Sequence, residues 1–184
     1  MEWYSKVEFK EGVKFEQGDF IRRCPFYSVV SQEGDKARAV TSAYDVVVIT
    51  QSCDLENDKA DRVLVAPWMP LGYHLERHLQ SMQKGKPDKK ELNTKDKRHF
   101  FSNLKDGIYH RYHLLDCWPD GGLDEFPVVD FGFVFSVSLP ELTRIAIAQR
   151  SVIRLNSPYK EHLSQAFARY FMRVGLPSSI RNPF

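Results

Sequence analysis

The chain has 184 residues, 42% hydrophobic and 27% charged, the balance of one folded domain and not of a disordered segment. Its formal net charge of +2 is too small to imply a nucleic-acid or membrane partner from charge alone, and no apolar run reaches the length of a bilayer span. The three cysteines, Cys24, Cys53 and Cys117, form no CxxC pair, and Met1–Lys6 lacks the form of a secretion signal. These features argue against a disulfide framework or a zinc knuckle and predict a cytoplasmic protein with no cofactor and no membrane partner.

In chain order, the first forty residues alternate short apolar pieces with turn residues. Val13-Lys14-Phe15 leads into the turn Gln17-Gly18-Asp19, and Phe20 to Arg23 resumes an extended pattern. Glu33-Gly34-Asp35 reads as a loop. Val46 to Thr50 is an aliphatic strand expected to be buried on both faces, and it stops abruptly in Gln51, Ser52, Cys53 and Asp54. Arg62 to Ala66 is the next strand, ended by Pro67. Leu71, Leu75, Leu79 and Met82 then recur at helical spacing, which predicts an amphipathic helix over Pro70 to Gln83.

Lys84 to Arg98 carries seven Lys or Arg against three acids and reads as a solvated basic loop. His99-Phe100-Phe101 is predicted to pair with a strand over Ile108 to Leu115 across the turn Lys105-Asp106-Gly107. Pro127 to Val137 reads as one long strand with a single acid, Asp130. Leu139 to Ile145 is expected to form a helical turn, and Ser151 to Leu155 a last short strand. A C-terminal helix over 158–174 follows, with Ser157 as cap, Pro158 in the first turn, and an apolar stripe of Tyr159, Leu163, Ala166, Phe167, Tyr170, Phe171 and Val174. Gly175 and Pro177 are placed to end it.

The fold class that follows is β-rich α+β: a small SH3-like barrel or curved antiparallel sheet, with an inserted helix and a C-terminal helix packed on it. The sharpest chemical candidate is the strand end Gln51, Cys53 and Asp54. A thiolate nucleophile needs a cation or base from elsewhere in the fold, and His110 and His113 are the candidates. By strand alternation those two histidines point to opposite faces. The competing reading makes Cys53 a small packed residue and Asp54 a partner for loop amides. Lys84, Lys86, Lys89, Lys90, Arg98 and Arg111 are the candidate nucleic-acid contacts, Arg111 because it interleaves with Tyr109 and Tyr112. His74 and His78 lie four apart on the predicted helix, a spacing open to a metal but better read as two boundary histidines.

The segments VVVITQSCDLE and SPYKEHLSQAFARYFMRVGLP are similar to a family of uncharacterised bacterial proteins, a likeness that implies no activity. More distantly, Gly18-Asp19-Phe20, the Val46 to Thr50 strand and Val63 to Pro67 resemble the strand order of MazF/PemK endoribonuclease toxins. That resemblance implies an SH3-like barrel. Tyr44-Asp45 stands where those proteins have Arg-Pro, and Trp68 where they have Thr, so it does not carry the ribonuclease activity over. The reading of function is an accessory protein of a bacterial toxin-like or defence-type system, acting through nucleic-acid or protein binding. The alternatives are a cysteine- or metal-dependent enzyme using Cys53 and Asp54, and a structural subunit docking through its C-terminal helix.

Overall fold

The computed structural model describes residues 2–33, 36–85 and 90–172. The described chain is mixed α and β, an antiparallel sheet of eight strands with five α-helices around it. In order these are β1 (Tyr4–Glu8), β2 (Asp19–Glu33), β3 (Lys36–Val48), α1 (Ser52–Glu56), β4 (Arg62–Pro70), α2 (Leu71–Gln83), α3 (Thr94–Lys105), β5 (Tyr112–Leu114), β6 (Pro127–Asp130), β7 (Phe135–Ser138), α4 (Leu139–Gln149), β8 (Ser151–Leu155) and α5 (Tyr159–Phe171). The strand order is β1-β8-β2-β3-β4-β6-β5, with β7 beside β6 on the same edge of β4. The sheet runs open from β1 to β5, so the pairing does not close it into a barrel.

Alternation along the central strands splits the core in two. Val46, Val48, Ile21, Val63 and Val65 face α4 through Leu142, Ile145 and Ala146. Val47, Ile49, Phe20 and Ala66 face α5 through Leu163. Both faces of the Val46–Ile49 segment are therefore covered, and its side chains are at most 3% exposed. At roughly 1.5–3 kcal/mol for each fully buried aliphatic side chain, this segment contributes substantially to the stability of the sheet. A third, smaller cluster packs α2 and α3 onto β5 and β6 through Leu71, Leu75, Phe100, Leu104 and Val128.

The sequence pattern misplaces three elements. Residues 94–105, read as the end of a basic loop and the start of a hairpin, are α3. Its start is fixed by a capping box: Asn93 Oδ1 accepts from Asp96 N at 2.9 Å and Asp96 Oδ2 accepts from Asn93 N at 3.3 Å. The expected strand over 108–115 shrinks to Tyr112–Leu114, because its predicted partner is helical. Pro127 to Val137 is two strands. Between the pairs Val65↔Phe135 and Trp68↔Val129, β4 advances three residues and its partner six, so the excess bulges out at 131–134. Pro67 does not end β4; it falls opposite this interruption, where a missing ladder donor is tolerated.

The helix predicted over 70–83 forms as Leu71–Gln83 with Pro70 as its N-cap residue, and α4 extends to Gln149, well past a single turn. α5 runs Tyr159–Phe171 with Pro158 at the cap, and Ser157 Oγ donates to Glu161 Oε1 at 2.8 Å. Val174, Gly175 and Pro177 lie outside the described residues, as do Gly34 and Asp35.

An ion-pair network joins β2, β8 and α5 at the edge of the second core. Asp19 is fully buried and in register with Arg154, whose Nε and Nη2 donate to its two oxygens at 2.6 and 2.8 Å. Glu16 N donates to Asp19 at 2.9 Å, while the Glu16 carboxylate takes Arg154 Nη1 and Lys160 Nζ. Gly18, at φ 88°, makes the turn into β2, and a Cβ there would overlap Leu155.

Candidate functional site

Three arrangements could carry chemistry, each around cavities of its own. At the first, β3 ends at Val48 and the chain turns into α1 through Gln51. This corner is pinned to the Gln17 turn. Gln17 N donates to Ser52 Oγ at 3.0 Å, and Gln17 Nε2 donates to the Ile49 carbonyl at 2.7 Å. Thr50 Oγ1 accepts from Leu64 N at 2.7 Å. Asp54 lies in the first turn of α1, where its backbone N donates to the Gln51 carbonyl at 3.1 Å. The four polar residues thus begin a one-turn helix and are not a loop.

Cys53 is exposed, with Sγ 3.7 Å from Gln51 Oε1 and 3.9 Å from Asp54 Oδ1. Both partners are acceptors for a thiol S–H, and neither supplies the positive charge that holds a thiolate. Gln51 and Ser52 line a cavity of about 370 Å3 with Gln17, Lys160, Glu161 and Gln165. Lys160, the cation there, is tied to Glu16 at 2.9 Å.

The second arrangement holds the histidines. His110 sits in the turn ahead of β5, so strand alternation does not separate it from His113, and both line one cavity of about 270 Å3 with Asp106, His162 and Arg169. Burial, with His162 and Arg169 nearby, pushes the His113 imidazole down to about 4 from its ordinary 6.5, and its ring stacks on Phe131. This cavity and the one beside Gln51 share one lining residue, Gln165 of α5. Neither histidine is among the contacts of the Cys53 sulfur. No three His, Cys, Asp or Glu side chains gather as a metal site among the described residues.

The third arrangement is a groove, of which sequence reasoning singles out Arg111 with Tyr112, and His74 in another role. Two cavities, of about 640 and 210 Å3, adjoin across Tyr44 and Met69. The larger is lined by Arg22, Arg23, Asp45 and Trp68, the smaller by Tyr73, His74, Arg77, Arg111, Tyr112 and Phe133 among others. Three guanidinium groups lie over rings here: Arg22 over Trp68 at 4.7 Å, Arg77 over Tyr73 at 5.8 Å and Arg111 over Tyr112 at 5.4 Å.

Arg22 also pairs with Asp45 at 2.7 Å, and its Nη2 donates to the Gly122 carbonyl at 2.7 Å. Arg111 grips Asp130 with Nε and Nη2 at 2.6 and 2.7 Å, and that carboxylate holds the guanidinium pKa above its ordinary value. Gly132 makes this possible, since its N donates to Asp130 at 2.8 Å and a Cβ there would overlap the Arg111 side chain. The guanidinium groups of Arg23 and Arg77 have no carboxylate partner among the described residues; Arg23 N donates to Asp45 Oδ1 at 2.9 Å, and Arg77 Nη1 donates to Tyr73 OH at 3.2 Å. Arg23 takes a left-handed backbone, φ 51°, where the β2–β3 register shifts between Ile21 and Cys24.

His74, expected at a boundary, is buried at 5% exposure, and His78 packs its ring 4.7 Å from Phe100. The four-residue spacing of Tyr73 and Arg77 on α2 is the one sequence signal that places a ring and a guanidinium on one face here.

Of the candidate nucleic-acid contacts, Lys84, Lys90, Arg98 and Arg111 are exposed, with Arg98 on α3, while Lys86 and Lys89 lie outside the described residues. The aromatic stripe of α5 is mostly used within the chain: Tyr159, Leu163, Ala166, Phe167 and Tyr170 pack into the second core, and Phe171 is left half exposed. Among the described residues no helix is long and apolar enough to cross a membrane. Compared with known protein families and with curated proteins, the chain has no match.

Proposed function

We propose that the chain is an accessory protein of a toxin-like or defence-type system that works by binding single-stranded nucleic acid along the Trp68–Tyr44–Tyr73 groove. The observation that carries this reading is the gathering of all three guanidinium–ring pairs of the described residues into two adjoining cavities. Aromatic faces stack on any base, and guanidinium groups meet phosphate oxygens in a fork, which together suit a flexible strand better than a duplex. The guanidinium groups of Arg23 and Arg77, without carboxylate partners, are the two free to take phosphates. The exposed Lys84, Lys90 and Arg98 supply further positive charge, while the groove itself sets Arg22, Arg23, Arg77 and Arg111 against Asp45, Asp124, Glu125 and Asp130.

On this reading the sheet core β2, β3, β4 and β7 stands for an opened SH3-like barrel, in keeping with the MazF/PemK resemblance of the first seventy residues. The toxin-like setting rests on that resemblance alone, and the groove argument does not need it.

The test is an anisotropy titration of fluorescent ten-nucleotide RNA and DNA strands, with a duplex of the same sequence as control. Binding should fall with salt at a log–log slope of about −1.4, as expected for two phosphates neutralised on a single strand. Replacing both Arg23 and Arg77 by Gln should flatten that slope. A wild-type protein that retains neither strand at low salt sinks the proposal.

A further inference from the structure

The smaller cavity of the groove is lined by a buried imidazole with an unpartnered nitrogen. His74 stands on α2, 5% exposed, and burial lowers its pKa below the ordinary histidine range. Its Nε2 is buried and has no hydrogen-bond partner. In a neutral imidazole that nitrogen is a donor in one tautomer and an acceptor in the other. A buried polar atom left unmade is costly in either form, and a ligand that brings a donor and an acceptor side by side recovers that cost.

The surroundings narrow the ligand further. Tyr112 and Tyr73 stand edge-on to the imidazole, with centroids at 4.9 and 5.4 Å, and Phe133 adds a third ring to the lining. Arg77 and Arg111 line the same cavity, and both are exposed to solvent. A volume of about 210 Å3 is below the roughly 300–1,000 Å3 of sites that enclose a drug-sized ligand. It therefore suits one ring system and not a whole nucleotide. An aromatic box with an unpartnered imidazole nitrogen in its lining and guanidinium groups at hand matches a planar heterocycle that carries a donor and an acceptor on one edge and is joined to a phosphate.

Resting on the groove reading above, we propose that this cavity receives one unstacked base of the bound strand. Its pairing edge hydrogen bonds to His74 Nε2, and Arg77 meets the adjoining phosphate. Every nucleobase carries both a donor and an acceptor on its pairing edge, so the site separates a base-bearing nucleotide from an abasic one and does not select one base.

The experiment compares a labelled ten-nucleotide strand with an abasic strand of equal length, titrated against the wild-type protein and His74→Phe. Phenylalanine keeps an aromatic ring and removes the ring nitrogens. The variant should bind the base-bearing strand about tenfold more weakly, about 1.4 kcal/mol, and the abasic strand unchanged. Unchanged affinity for the base-bearing strand, or an equal loss for both strands, overturns the proposal. Because His74 is buried and the variant can fail to fold, the wild-type imidazole is also followed by nitrogen NMR. Its Nε2 resonance should move with the base-bearing strand and stay in place with the abasic one. A still resonance despite binding overturns this site alone, whereas no binding of either strand at low salt overturns the groove with it.

Discussion

Replacing Arg154 by Met tests whether the buried ion pair is a necessity of this fold. Asp19 is fully buried and both of its oxygens are held by Arg154, so removing the cation strands a carboxylate in the core. Breaking a buried pair from one side costs about 3–5 kcal/mol, a large share of the stability of a domain this size. Glu16 N still donates to Asp19 and keeps the loss from going higher.

The pH dependence follows from the sign of the shift. Burial pushes the Asp19 carboxyl above its ordinary 3.8, against the pull of Arg154, so without the cation burial acts unopposed by that charge. A raised carboxyl binds more protons folded than unfolded; its contribution is present below pH 3.8 and lost as pH rises through the folded value. Urea melts should therefore show Arg154→Met losing about 3–5 kcal/mol at pH 7 and clearly less at pH 4. The double variant Asp19→Asn with Arg154→Met should recover about 2 kcal/mol, since no charge remains to be stranded. A loss under about 1 kcal/mol at pH 7, typical of surface pairs, refutes the reasoning.

Three further outcomes are expected. His113, held down to about 4 against 6.5 in the unfolded chain, should make stability fall as pH drops from 6.5 to 4. The loss is roughly 3 kcal/mol, and in urea melts His113→Leu should flatten that slope. Asn93→Ala removes half of the capping box of α3 and should cost about 1 kcal/mol in the same melts; no change would mean that α3 is held by packing alone. Cys53, exposed on α1, should alkylate in the folded protein, while buried Cys24, pushed up to about 12, stays unreacted. A Cys53 that reacts no faster than Cys24 until the protein unfolds would contradict its exposure.

The elements with a clear period were legible in the sequence. Val46 to Ile49 reads as doubly buried because four β-formers in a row leave no polar face, and α4 and α5 indeed cover both sides. The Leu71 to Met82 spacing gave α2 to within a residue. What failed were places where a local signal competes with a distant one. Lys-Asp-Gly at 105–107 looks like a hairpin turn, yet the capping box at Asn93 starts a helix that runs straight into it. Pro67 reads as a stop because the pattern cannot show that its neighbouring edge is bulged. The groove was almost invisible, since Arg22, Tyr44, Trp68, Arg77 and Arg111 come from β2, β3, β4, α2 and the turn before β5. Only the pairings of those strands bring them together. The strand end at Cys53 was legible as an accessible cluster, but spacing alone could not say that the histidines line a different cavity.

The three surplus residues opposite β4 have a consequence for how this protein can change. Asp130 and Phe133 sit at the margins of that bulge and line the small cavity, while the ladders before and after it keep their own alignment. Lengthening or trimming the segment would move Phe133, one wall of the cavity, without sliding either ladder, while Asp130 in register with Tyr112 keeps its hold on Arg111. The molecule thus carries an adjustable spacer beside its most chemically dressed surface, one in which sequence drift reshapes a recognition site while the scaffold is untouched.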